Sequence, residues 1–149
     1  QTIVWIKSRP ILARYHFMWQ SEPCYYGWVE GHQPPNGRRP PPNESQIWQI
    51  DQQGELGEHP TQKPLAIFER PISWHTRAGE VVLEPFSGSG TQIIAAERLG
   101  RRCRAIEISP AFVDVAVRRW ERTTGRGATW DGIPFEEVAR QRLGATVDL

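Results

Sequence analysis

The chemistry-bearing stretch of this chain is "VVLEPFSGSGTQIIAAERLG", Val81 to Gly100, followed by "RRCRAIEISP". An apolar strand ends on the acid Glu84. A Gly-x-Gly turn (Gly88, Gly90) follows, then an amphipathic helix, then a second strand ending on the acid Glu107. An acid there can accept hydrogen bonds from two ribose hydroxyls, and the glycines let a ligand approach the backbone where a side chain would collide. Three ligands compete for such a turn. A phosphate-binding loop needs a lysine and a hydroxyl residue after the last glycine, and "GSGTQ" supplies no lysine. A dinucleotide calls for G-x-G-x-x-G, and Ile93 at the third glycine position weakens that reading without excluding it. S-adenosylmethionine has no pyrophosphate, needs only the close turn, and carries a positive amino group that suits Glu84. A tight strand-to-helix turn with no ligand explains a lone Gly-x-Gly equally well.

Strand, turn, helix and strand in this order make a βαβ unit. Its helix is expected over Thr91–Leu99, burying Ile93, Ile94, Ala96 and Leu99, with Gly100 as the stop. "CRAIEI" is the second strand. Ser109 should cap the next helix with Pro110 in its first position, and Phe112, Val113, Ala116 and Trp120 form its core face. Upstream, "QTIVWIK" reads as a buried strand, "PCYYGWV" as another and "QIWQI" as a short returning one. "LAIFER" is helical, and Pro71 should kink or end it. "GHQPPNGRRPPPNES" can be neither helix nor central strand, and so long a loop is usually functional or disordered. "PFEEVARQRL" is a last short helix.

With 149 residues the chain can bury one core. Mean hydropathy is −0.55, and no apolar run approaches the roughly 18 residues of a membrane span, so a soluble protein with no membrane partner is expected. Net charge is only +1. Residues 1–43 are more basic, carrying Lys7, Arg9, Arg14, Arg38 and Arg39 against Glu22 and Glu30; an ordinary solvated surface explains this as well as a nucleic-acid contact does. Cys24 and Cys103 form no CxxC pair, which fits buried thiols in a reduced, cytoplasmic protein. His16, Cys24 and His32 match no common zinc spacing, and no metal is expected.

Three strings in order, "HPTQKP" (59–64), "EPFSGSGT" (84–91) and "AIEISPAFVDVAVRRW", resemble the DNA methyltransferases that methylate adenine N6 or cytosine N4 with S-adenosylmethionine. The family's usual forms are H-x-T-x-K-P and D-P-F-x-G-S-G-T; here Glu84 replaces the aspartate, longer by one methylene with the same charge. The motif order is that of permuted members, and "IVWIKSRPILARYHFMWQSEPCYYGW" looks like the segment that follows the catalytic motif in phage-type members. The resemblance covers the chain to about Gly125. It implies an α/β fold: a partial Rossmann-like S-adenosylmethionine-dependent methyltransferase with an incomplete, mostly parallel sheet flanked by helices. Residues 1–7 would be a core strand, 8–58 a target-recognition segment, 59–125 the cofactor-binding region and 126–149 a tail.

Carried over by motif, Glu84, Pro85, Phe86, Ser87, Gly88, Ser89, Gly90 and Thr91 would line the methionine and ribose side of the cofactor. Glu107 would bind the ribose, with Ile108 beside the adenine. His59, Thr61, Lys63 and Pro64 would close the pocket from the other side. Arg9, Arg14, His16, Arg38 and Arg39 would contact double-stranded DNA. The family's catalytic [D/N/S]-P-P-[Y/F/W] motif, which holds the target amine of an extruded base, has no good match; "QPPN" (33–36) lacks both the acid and the aromatic. The resemblance therefore implies a C-terminal half whose catalytic residues lie in an upstream half. Its exposed sheet edge would favour pairing with that half or self-association into a homo-oligomer. A non-catalytic S-adenosylmethionine- or DNA-binding module is the alternative, and a nucleotide-binding oxidoreductase domain a weaker one.

Overall fold

The computed structural model describes residues 1–11, 14, 16–51 and 62–143. His59 and Thr61, both expected at the cofactor, lie outside the described residues. The chain begins with β1 (Thr2–Ile11), where the β-branched and aromatic run Ile3–Ile6 suits a half-buried strand. Its inward face, with period two, carries Ile3, Trp5 and, unusually, Lys7. β2 (Trp19–Tyr25) returns antiparallel, and β3 (Ile47–Gln49) adds in parallel, giving the order β2-β1-β3. β1 runs beyond the strand expected, β2 begins before its expected start and stops at Tyr25, and the ladder between them is irregular from Ile6 to Ile11.

Helix α1 (Leu65–His75) lies between two cores. Ala66, Ile67 and Trp74 pack on Trp5, Trp48 and Ile50 of the first sheet. Leu65, Phe68 and Ile72 pack with Ala95 and Ala96 of the next helix. Of the two outcomes expected, a kink or an end, Pro71 does not end this helix. It removes the bond to the Ile67 carbonyl, at a cost of about 3 kcal/mol for an interior proline. Burying Ile72 and much of Trp74 just beyond it, at roughly 1.5–3 kcal/mol for a large apolar side chain, is enough to keep the last turn wound.

The βαβ unit is present: β4 (Val81–Glu84) and β5 (Arg102–Ala105) pair in parallel through α2 (Thr91–Arg98). Thr91, Ile94, Ala95 and Ala96 are its buried face, while Ile93 and Leu99 are half-buried. Gly100 ends it at φ +71°. The second strand stops at Ala105, so Glu107 stands two residues beyond it rather than at its end. Helix α3 (Pro110–Thr124) has Ser109 in the cap position, but the hydroxyl makes no cap bond; the Ser109 N–H is drawn instead to Glu107. Val113, expected in the core, is 39% exposed, and Arg119 is buried on this helix instead. An unanticipated hairpin, β6 (Thr129–Trp130) and β7 (Ile133–Pro134), turns at Asp131–Gly132 with both φ positive, as a two-residue hairpin turn requires. Helix α4 (Phe135–Leu143) follows.

The architecture is α/β, an incomplete set of strands flanked by four helices, as expected, and the strand pairs of the central units, β1 with β3 and β4 with β5, are parallel. Among the described residues there are three small sheets, with two parallel and two antiparallel strand pairs. A two-residue turn links β6 to β7, and so tight a connection admits only antiparallel pairing.

The proline-rich loop is pinned to the start of β4. Arg38 donates two hydrogen bonds to Glu80, at 2.7 and 2.6 Å, and accepts one on its carbonyl from His75 Nδ1 at 2.7 Å. Arg77 donates to the Gly37 carbonyl. Hydrogen bonds from Arg38, then from the Arg77 N–H, pull the Glu80 carboxyl down to about 2. A carboxyl depressed on folding stabilises the chain above its unfolded value, about 4.3, and that contribution is lost as pH falls toward about 2. Arg38→Ala should therefore lower the Tm at pH 7 but not at pH 2, and thermal melts across that range check it.

Candidate cofactor-binding site

A cavity of about 290 Å³ opens beyond the C-terminal end of β4. Glu84, Phe86, Ser87, Gly88, Ser89 and Thr91 line it, and so does Lys63. The structure thus joins the end of the "HPTQKP" string to the glycine turn across one space. Phe68, Gln92 and Phe112 complete the lining, none of them anticipated. Pro64, Pro85, Gly90, Glu107 and Ile108 are not on its wall.

The turn is held from three sides. Glu84 Oε1 accepts the Phe86 N–H at 2.8 Å, fixing the exit from the strand. Glu107 accepts the N–H of Gly88 at 2.6 Å and of Ser109 at 2.9 Å, so one carboxylate ties the turn to the start of α3. Those backbone donors, Ser109 first, hold its carboxyl below the usual range. An ionised carboxylate has about four acceptor positions, so the bonds to Gly88 and Ser109 leave capacity for a ligand. From α3, Arg119 Nη1 donates to the Ser89 carbonyl at 2.5 Å, to Ser89 Oγ at 3.0 Å and toward Thr91 Oγ1 at 3.3 Å. Arg119 is only 4% exposed. Its place three residues after Ala116, on the apolar face of the helix, was the signal the sequence offered.

The two glycines have different reasons to be glycine. Gly88 (φ +52°) has open space where a side chain would begin. At Gly90 (φ +79°) a Cβ would stand 2.7 Å from the Ala116 Cβ, so contact with α3 is by itself enough to require glycine.

The chemistry of the lining suits a zwitterionic, partly apolar ligand. Lys63 and Glu84 supply opposite charges, and Phe68 and Phe112 supply apolar wall. Phe86 and Ile108, 87% and 96% exposed, are large apolar side chains left in the open beside the turn. Ser87 Oγ is buried and has no hydrogen-bond partner among the described residues, an arrangement that costs about 1–3 kcal/mol unless something fills it.

The basic residues fall into two places. Arg9, Arg14 and His16 are exposed on or beside the β1–β2 hairpin. Arg38 is engaged with Glu80, and Arg39 Nε donates to the Pro34 carbonyl. Because Glu80 precedes β4 and the cavity follows it, the loop carrying Arg38, Arg39 and "QPPN" is anchored at the opposite end of that strand. Cys24 and Cys103 are unpaired and half-buried, and burial pushes both thiols up.

The sequence model of the DNA methylase family, N6_N4_Mtase, matches residues 4–118. The chain belongs to this family. Among curated DNA methylases, the type II methyltransferase M2.DpnII of Streptococcus pneumoniae is 45% identical over 65 residues, covering 44% of this chain and 24% of the relative. M.Cfr9I of Citrobacter freundii is 32% identical over 118 residues, covering 76% of this chain and 38% of the relative. The chain thus spans between a quarter and two fifths of the length of these relatives. Among solved structures, the Thermus thermophilus protein TTHA0409 in complex with S-adenosyl-L-methionine superposes with a TM-score of 0.56 at 30% identity, over 87% of this chain and 58% of that one. The cytosine-N4-specific PvuII DNA methyltransferase, at 17% identity and a TM-score of 0.65, shares the fold over 93% of this chain and 54% of its own. No helix among the described residues is long and apolar enough to cross a membrane.

Proposed function

We propose that this chain is the cofactor-binding part of a DNA methyltransferase that transfers a methyl group from S-adenosylmethionine to adenine N6 or cytosine N4. The observation that carries the reading is the single cavity shared by Lys63 and the Glu84–Thr91 turn. When bound, the cofactor supplies an activated methyl group on a sulfonium. The residues of this chain hold and orient it. Lys63 meets its carboxylate, Glu84 its amino group, Ser87 Oγ gains the partner it lacks, and Glu107 accepts the ribose hydroxyls while keeping the turn closed. Phe86 and Ile108 flank the adenine.

Groups that draw out and orient the target amine belong to the upstream half, which also covers Val81 and Leu83, the exposed side chains of β4. A second copy of the chain is the competing occupant of that face. "QPPN" is not assigned a catalytic role, because its loop is anchored away from the cavity. Arg9, Arg14 and His16 contact the backbone of double-stranded DNA. Arg38 holds the loop in place, and Arg39 reaches a phosphate from it.

Titration with S-adenosylhomocysteine by calorimetry tests the reading. The chain should bind it and should not bind NAD. A hydrogen bond to a charged acceptor is worth roughly 1.5–3 kcal/mol, so Glu107→Ala should weaken binding by at least about tenfold. Unchanged affinity would remove Glu107 from the site.

A further inference from the structure

The chain contains only two lysines, Lys7 and Lys63, and both meet the same carboxylate. Glu22, on β2, pairs through Oε1 with Lys7 on β1 at 2.6 Å and through Oε2 with Lys63 at the cavity. Lys7 is 3% exposed, a burial that lysine tolerates only when paired. Each ammonium also stands 5.4 Å from the ring centroid of buried Trp5, within reach of its π face. One carboxylate and one indole therefore hold two like charges together. Burial alone would raise the Glu22 carboxyl, but hydrogen bonds and charge from Lys63 and Lys7 outweigh it and hold it low.

The lysines have different freedom. Lys7 is enclosed and cannot leave Glu22 without becoming an uncompensated buried charge. Lys63 is about half-exposed and, untethered, would sample the many rotamers of a long flexible side chain. The enclosed pair is thus a fixed point to which the cavity lysine is tied.

We propose that Glu22 is the positioning residue for Lys63. It touches no ligand; it sets where the Lys63 ammonium stands to receive a carboxylate, and Lys7 fixes Glu22 in turn. The role of the ligand carboxylate rests on the cofactor reading above, whereas the tether itself does not. Strand β2 of the hairpin and the cofactor cavity are thereby joined through one side chain.

Two measurements test this on the full chain, using Glu22→Gln and the double variant Lys7→Met/Glu22→Gln. The double variant removes both charges of the pair together, so that Lys7 is not left buried without its partner. The first measurement is the rate of Lys63 acetylation by acetic anhydride, read by peptide mass spectrometry without any ligand. Lys63 should react several-fold faster in both variants. An unchanged rate in a natively folded variant overturns the proposal. The second compares S-adenosylhomocysteine with an analogue lacking its carboxylate. Glu22→Gln should weaken the first by about tenfold, as loss of one charge-assisted hydrogen bond would, and leave the analogue nearly unaffected. Lys63→Met should show the same pattern, with no further loss on adding Glu22→Gln. Equal losses for both ligands would mean that Glu22 serves only the fold. A chain that binds neither ligand overturns the cofactor reading instead, while the acetylation rate still decides the tether.

Discussion

Gly90→Ala is expected to cost the chain much of its stability and the cavity its ligand. The left-handed conformation at φ +79° penalises any Cβ by roughly 1–2 kcal/mol. A Cβ 2.7 Å from Ala116 also overpacks the contact between the turn and α3, which typically costs about 1–3 kcal/mol more. Neither neighbour can give way cheaply, since the next contact is the Ala116 backbone at 3.2 Å. For a domain of this size each kcal/mol lowers the Tm by roughly 2–4 °C, so a fall of about 5–15 °C is expected. Pushing α3 outward also draws Arg119 from Ser89 and Thr91, so affinity for S-adenosylhomocysteine should fall by more than about tenfold even below the new Tm. Gly88→Ala is the control: its Cβ meets nothing within 4 Å, leaving only the conformational penalty. Equal effects at the two glycines would show that the contact with Ala116 is not what demands Gly90.

The βαβ unit was legible because its signals agree: apolar strands, a glycine turn, a helix closed by Gly100 and a strand followed by an acid. The string "HPTQKP" led to the expectation of a residue near that turn, and Lys63 lines the same cavity as the turn. What stayed hidden depended on tertiary contacts. Pro71 is a helix breaker by local rules, yet Ile72 and Trp74 beside it pack into two different cores and hold the helix together. Arg119 sits on the apolar face of its helix in the sequence, but only the fold brings Ser89 and Thr91 to it. Lys7 and Glu22 lie on different strands, so neither predicts the other. Arg38 lies in the segment expected to recognise DNA, and its bonds to Glu80, far along the chain, follow from no local pattern. The Asp131–Gly132 hairpin is the exception, since its turn residues were in plain view and the strands are simply too short to show alternation.

Transfer of a labelled methyl group to double-stranded DNA tests the central claim most directly. Holding two reactants in line can supply about 7 kcal/mol or more of a barrier, which at about 1.4 kcal/mol per tenfold is roughly five orders of magnitude. In the proposed function this chain holds the cofactor, but the groups that would draw out and orient an exocyclic amine are not among its assigned residues. No detectable transfer is expected from the chain alone, and sequence-dependent transfer when the proposed upstream half is added. That restored activity should be lost again with Gly90→Ala and greatly reduced with Glu107→Ala. Transfer by the chain alone would contradict the division of labour proposed here, and "QPPN" would be the first place to look for the missing groups. A complemented enzyme that folds and binds DNA yet moves no methyl group would contradict the assignment of the cavity itself.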